Sequence, residues 1–218
     1  MSSFARTTRV LVPCVLVAAL LATCDGGVAG SGGSFGPNGS VAAKDPAAFG
    51  EVADFELVRH DGETVTLADL RGKPWVLGTM FTSCRGPCPG LTRSMRAIQD
   101  ALEGTDTVLV SLSVDPTADT PERLTDYARA FDADTSSWWF LTGEEREIYD
   151  LIRTSFKMAV ARDEAAREKA GDANTHVFTH DTRLVAIDRK GQVRGWYHHE
   201  EEREGLIERM RHLASTSP

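Results

Sequence analysis

Phe81-Thr-Ser-Cys84-Arg-Gly-Pro-Cys88-Pro89-Gly-Leu91 lies between two patterns of different period. Before it, Pro74-Trp-Val-Leu-Gly-Thr-Met-Phe81 is a continuous apolar run, the mark of a strand buried on both faces. After it, Leu91, Met95, Ile98 and Leu102 recur at helical spacing. A second continuous run, Thr107-Val-Leu-Val-Ser-Leu-Ser-Val114, follows. Strand, helix and strand in that order require a parallel crossover. Pro89 suits the first turn of the helix and places Cys88 near its N-terminus, where the partial positive charge stabilises thiolate and lowers a thiol pKa.

The rest of the chain builds outward from this unit. Upstream, Phe55-Glu-Leu-Val58 and Thr64-Val-Thr-Leu67 flank the turn signal His60-Asp61-Gly62 and predict a β-hairpin. Downstream, Thr120 caps a helix that opens with Pro121, and Leu124, Tyr127, Ala128 and Phe131 form its apolar stripe. Trp138-Trp-Phe-Leu141 reads as a short strand and 144–156 as a helix. The stretch 157–175, rich in Ala, Arg, Glu and Lys, reads as a surface helix or mobile loop. Arg183-Leu-Val-Ala-Ile-Asp188 and Gln192-Val-Arg-Gly-Trp-Tyr197 form a second hairpin, and 200–214 closes the chain as an amphipathic helix. The expectation is an α/β fold, a mixed central sheet with helices on both faces and a β-hairpin at its N-terminal end.

The N-terminus has a different character. Arg6 and Arg9 precede thirteen residues, Val10 to Ala22, that are almost all apolar, the arrangement of an export signal. The run is short for a bilayer span, which needs roughly 20 apolar residues. Leu21-Ala22-Thr23-Cys24 resembles the lipobox of bacterial lipoproteins, with Thr23 where Gly, Ala or Ser is usual. Residues 1–23 are therefore expected to be a lipoprotein-type signal peptide, Cys24 the lipid attachment point, 24–50 a Gly/Ser-rich leash, and 51–218 the folded domain. Such a protein works outside the cytoplasm, tethered to the cell membrane by that lipid or by an uncleaved anchor helix, or else exported in soluble form. The 218-residue chain carries 24 Lys+Arg against 32 Asp+Glu. Removing Arg6 and Arg9 leaves 22 against 32, a net charge of −10, which argues against nucleic acid as a partner and favours a basic partner surface over an acidic one.

Of four cysteines, Cys14 and Cys24 lie in the N-terminal stretch, so the body keeps one pair, Cys84 and Cys88. Three intervening residues let the pair close a disulfide within one local turn, and equally let two thiolates converge on a soft metal ion. A structural disulfide is the ordinary state of such a pair in an exported protein. Closing so short a loop, however, removes only about 2 kcal/mol of unfolded-chain entropy, and a strand-to-helix switch is where ligands and reactions commonly sit. A reactive or metal-binding pair explains more.

Several segments together resemble the Sco/SenC family of copper-binding, thioredoxin-like proteins that serve cytochrome c oxidase assembly. They are Cys84 to Cys88-Pro89, matching the family's Cys-x-x-x-Cys-Pro; Ser113-Val-Asp-Pro116 with Asp119-Thr-Pro121; Trp139-Phe-Leu-Thr-Gly143; and His180. The resemblance runs from about residue 54 to 213 and implies a thioredoxin-like fold. It also implies a copper site of two cysteines and a distant histidine, carried here by Cys84, Cys88 and His180, with His176 four residues earlier as the other candidate. Two thiolates select a soft ion such as Cu(I), and an imidazole is acceptable to Cu(I) and Cu(II) alike. Gly86 stands where the family commonly has an acidic residue, and Arg85 adds a positive charge, both favouring thiolate. His198 and His199 read as a polar helix start, His60 as a turn residue and His212 as part of the closing helix. Asp115 and Asp119 read as turn and helix-capping residues.

What the resemblance implies for function is a membrane-tethered copper metallochaperone, not strictly an enzyme, that delivers copper to the binuclear copper centre of cytochrome c oxidase. The other reading is a thiol-disulfide oxidoreductase, using Cys84 and Cys88 to keep the cysteines of a copper-site partner reduced.

Overall fold

In a computed structural model the described residues are 48–162 and 178–216, all within one compact unit, Ala43–Pro218. The proposed signal peptide, Cys24, most of the leash and His176 lie outside them. Among the described residues no helix is long and apolar enough to cross a membrane.

The N-terminal hairpin pairs β1 (Glu56–Arg59) with β2 (Thr64–Thr66), antiparallel, and Gly62 takes a positive φ in its turn. Leu67 does not extend β2. It opens α1 (Leu67–Leu70), because Thr66 donates from both N–H and Oγ1 to the Asp69 carboxylate (2.8 Å each) and closes a capping box there. The crossover follows as expected: β3 (Trp75–Met80), α2 (Cys88–Ala101) and β4 (Val108–Ser113), with β3 and β4 parallel and buried at every position. The helix begins three residues before the apolar spacing does, at Cys88 itself, with Pro89 second.

Thr120 caps α3 (Pro121–Ala130) by accepting the Arg123 N–H at 3.4 Å. Then come β5 (Trp138–Thr142), parallel to β4, and α4 (Glu145–Thr154). Of the segment 157–175, expected as a surface helix or loop, residues 163–175 lie outside the described residues; its described part contributes β6 (Val160–Arg162), which pairs antiparallel with β7 (Phe178–His180) in a small sheet of its own. Val160 is buried and Arg153 donates to its carbonyl, so the short strand has an anchored side and is not a solvated helix. The second hairpin, β8 (Arg183–Ile187) and β9 (Val193–His198), precedes α5 (Arg203–Ser215).

The main sheet has seven strands in the order β2-β1-β5-β4-β3-β8-β9 and is mixed, as expected. β3 is parallel to β4 on one side and antiparallel to β8 on the other, with Leu77 opposite Val185 and Trp75 opposite Ile187. That register positions the site. Followed backwards from Val185, the chain reaches the C-terminal end of β3, so the residues before β8 meet those after β3.

Candidate metal centre

Three elements deliver the expected ligands to that end of the sheet. Cys84 comes from the turn after β3, where its N–H donates to the Phe81 carbonyl (3.2 Å). Cys88 is the first residue of α2 and His180 the last of β7. Both cysteines stand as thiols, Cys84 at 7% exposure and Cys88 at 0%. Cys88 Sγ lies 3.4 Å from His180 Nε2, and its thiol is hydrogen-bonded to Cys84. The three approach pairwise: among the described residues no three His, Cys, Asp or Glu side chains stand as a finished metal cluster.

The imidazole is oriented by its other nitrogen. Thr79 Oγ1 spends its proton on the Asp181 carbonyl (2.8 Å), so it meets His180 Nδ1, 3.1 Å away, as an acceptor. Nδ1 is also 3.1 Å from that carbonyl. Facing two acceptors, Nδ1 carries the proton, and the Nε2 lone pair points at the thiols. Burial pushes the His180 pKa below its ordinary value, which keeps the ring neutral at neutral pH. Phe81 packs edge-on against the ring at 5.8 Å between centroids, with Phe178 behind it at 5.1 Å, an apolar wall on this side of the site.

The thiol electrostatics differ from the sequence expectation. Cys88 does occupy a helix N-terminus, yet its pKa is driven far up, first by its hydrogen bond with Cys84 and then by burial. Both outweigh the helix dipole, and Arg85 is exposed. The pair retains a proton that an incoming ion must displace.

Supporting side chains reach in from afar. Thr92 Oγ1 donates to the Cys88 carbonyl (2.9 Å), leaving its lone pairs to accept the Tyr127 hydroxyl (2.8 Å), which links α3 to the start of α2. Asp119, completely buried, accepts from Thr82 N–H (3.0 Å), Thr82 Oγ1 and Ser113 Oγ (2.6 Å). It braces the cysteine turn and caps no helix; Thr120 does that. Asp115 forms the expected turn through its carbonyl, which accepts from Ala118 and Asp119. Thr79, Thr92 and Tyr127 carry no sequence signal beyond burial pattern, since each acts on a residue whose proximity only the fold creates.

Among the described residues, no other histidine joins these three in a metal-binding group. His198 ends β9 rather than starting a helix, and His199 Nδ1 is 3.0 Å from Ser94 Oγ, bracing α2 against the turn before α5. His60 is buried in its turn, donating its N–H to the Phe140 carbonyl (2.9 Å). A groove of about 500 Å³, lined by Phe55, Leu151, Asp54, Glu144 and Glu147 among others, lies elsewhere and includes none of the three expected ligands. A bare ion needs no such volume.

The model of the SCO1/SenC family matches residues 43–215. The chain belongs to the SCO1/SenC family. Among curated relatives, the SCO1 protein homolog of Bacillus subtilis is 36% identical over 150 residues, covering 67% of this chain and 77% of that protein. Similar solved structures include a SCO1/SenC family lipoprotein from Bacillus anthracis (32% identity, TM-score 0.68, 76% of this chain and 95% of that one). Another is BsSco, described as a Sco-family cytochrome c oxidase assembly protein with a disulfide switch (28%, TM-score 0.68, 80% and 98%). A third is copper-bound ScoI of Arabidopsis thaliana (25%, TM-score 0.61, 75% and 99%). The likeness to these SCO1/SenC structures accounts for the thioredoxin-like mixed sheet and its flanking helices.

Proposed function

We propose that the protein is a copper metallochaperone of cytochrome c oxidase assembly, binding copper through Cys84, Cys88 and His180 and delivering it to the oxidase's binuclear copper centre. The observation that carries this reading is the His180 ring, whose Nδ1 is engaged by Thr79 and Asp181 while Nε2 faces Cys88 Sγ at 3.4 Å. Two sulfurs and a neutral imidazole suit Cu(I) and tolerate Cu(II), and a three-ligand set leaves a position for an incoming ligand from the acceptor. The copper-bound Arabidopsis relative and the oxidase-assembly role given for BsSco support the same reading. Tethering through a lipid on Cys24, placing the domain outside the cytoplasm at the cell membrane, is supported by the Leu21-Ala22-Thr23-Cys24 segment and by the lipoprotein relative from B. anthracis.

Titrating the reduced protein with copper tests the site. Wild type takes up about one equivalent and His180→Ala holds it more weakly; no uptake by wild type, or identical binding by the variant, overturns the assignment.

A second reading rests on the hydrogen-bonded thiol pair. Cys84 and Cys88 are hydrogen-bonded neighbours, and a disulfide switch is described for BsSco. In that role one cysteine attacks a partner disulfide and the other resolves the mixed disulfide, reducing the partner and oxidising the pair. Disulfide reductase activity that survives Cys84→Ser would sink it.

A further inference from the structure

We propose that Asp119 is a positioning residue for the copper site, its carboxylate holding the turn that carries Cys84 against the end of β4. The inference rests on reading Cys84, Cys88 and His180 as the copper ligands. The three are not equally supported by secondary structure. Cys88 belongs to α2 and His180 to β7, whereas Cys84 sits in a turn, and a ligand site works only when its groups are held within about 0.5 Å of productive geometry.

Asp119 supplies that support. Thr82 lies two residues before Cys84, and Asp119 accepts from both its N–H and its Oγ1. The same carboxylate accepts from Ser113 Oγ, and Ser113 is the fully buried last residue of β4. One side chain thus grips both bonding groups at the base of the cysteine turn and ties them to a strand fixed in the middle of the sheet. Burying a carboxylate is costly unless its oxygens are satisfied, and here three donors converge on it. A charged acceptor makes each of those bonds roughly twice as strong as a neutral one would, which is what holding a ligand rather than merely closing a loop demands.

The test compares Thr82→Val, which deletes one hydrogen bond, Thr82→Ser, which keeps the hydroxyl, and Asp119→Asn in the full chain. Thr120→Ala serves as a control that destabilises a neighbouring helix cap without touching the turn. The readouts are the rate at which iodoacetamide alkylates the reduced, metal-free thiols, the thiolate-to-Cu(II) charge-transfer band, and the rate of copper loss to a chelator. Thr82→Val and Asp119→Asn are expected to be alkylated and to lose copper about tenfold faster, the scale of one hydrogen bond to a charged group, with a shifted band. Thr82→Ser and Thr120→Ala keep wild-type values, and the Thr82→Val/Asp119→Asn double variant goes no further than Asp119→Asn alone.

Wild-type alkylation and an unshifted band in Thr82→Val and Asp119→Asn, whatever their melting temperatures, overturn the proposal, as does an equal effect in Thr120→Ala. If Asp119→Asn does not fold, Thr82→Val decides. If wild type takes up no copper, the copper reading falls by itself, and the metal-free alkylation rates still decide what Asp119 does.

Discussion

At the scale of single residues, the site is defined by where protons sit. Cys88 holds its proton tightly because Cys84 and burial both favour the neutral thiol, while His180 is kept neutral by burial. With the proposed ligand set, metal uptake must therefore displace protons from sulfur and none from the imidazole. The sign follows: raising pH lowers the cost of freeing Cys88, so apparent copper affinity should climb about tenfold per pH unit for each proton released, through neutral and into alkaline pH. Calorimetric titration in buffers of different ionisation enthalpy counts that proton directly, and a count of zero would refute the assignment of Cys88. Below the lowered pKa of His180 its protonation adds a second loss of affinity. Thr79→Val removes one acceptor from Nδ1 and frees the ring to turn, so copper binding should weaken about tenfold or more, the usual effect of losing such a partner. A competition titration against a chelator of known affinity checks it.

At the scale of elements, the local rules were mostly legible in the chain. Thr120-Pro121 announced α3, and Thr120→Ala should cost about 1 kcal/mol of stability in denaturant titrations, since it strips one capping bond. The apolar runs of β3 and β4 and the spacing of α2 were equally plain, because buried parallel strands and an amphipathic helix leave periodic signatures. What stayed hidden was short or distant. α1 has four residues and depends on a box closed by Asp69, and β6 and β7 have three each and pair with one another in a sheet apart from the seven-stranded one. The sequence points to His180 as a ligand through the motif order of its family and not through any local pattern. Thr79 carries no site signal in the sequence and Asp119 reads there only as a turn or helix-capping residue, because their partners lie 101 and 37 positions away, and only the antiparallel register of β8 on β3 and the crossover to β4 bring them in. The raised thiol pKa is hidden for a related reason: helix position is readable from sequence, whereas complete burial beside a second sulfur is not.

At the scale of the whole molecule, the proposed lipid on Cys24 would let an acidic domain search the space near a membrane for its acceptor. Cys24→Ser should move the protein from the membrane fraction to the soluble extracytoplasmic fraction, with copper uptake by the purified protein unchanged, as cell fractionation and titration can show. The central position of β3 carries a further consequence. Cys88 and His180 are 92 residues apart and meet only after β8 has been added beside β3, on the side away from β4. With the proposed ligand set, a chain still emerging or half collapsed has its two thiols and no histidine to complete the trio. Assembly of the fold thereby acts as a gate in time, and the cargo is taken up as a late event by a finished carrier.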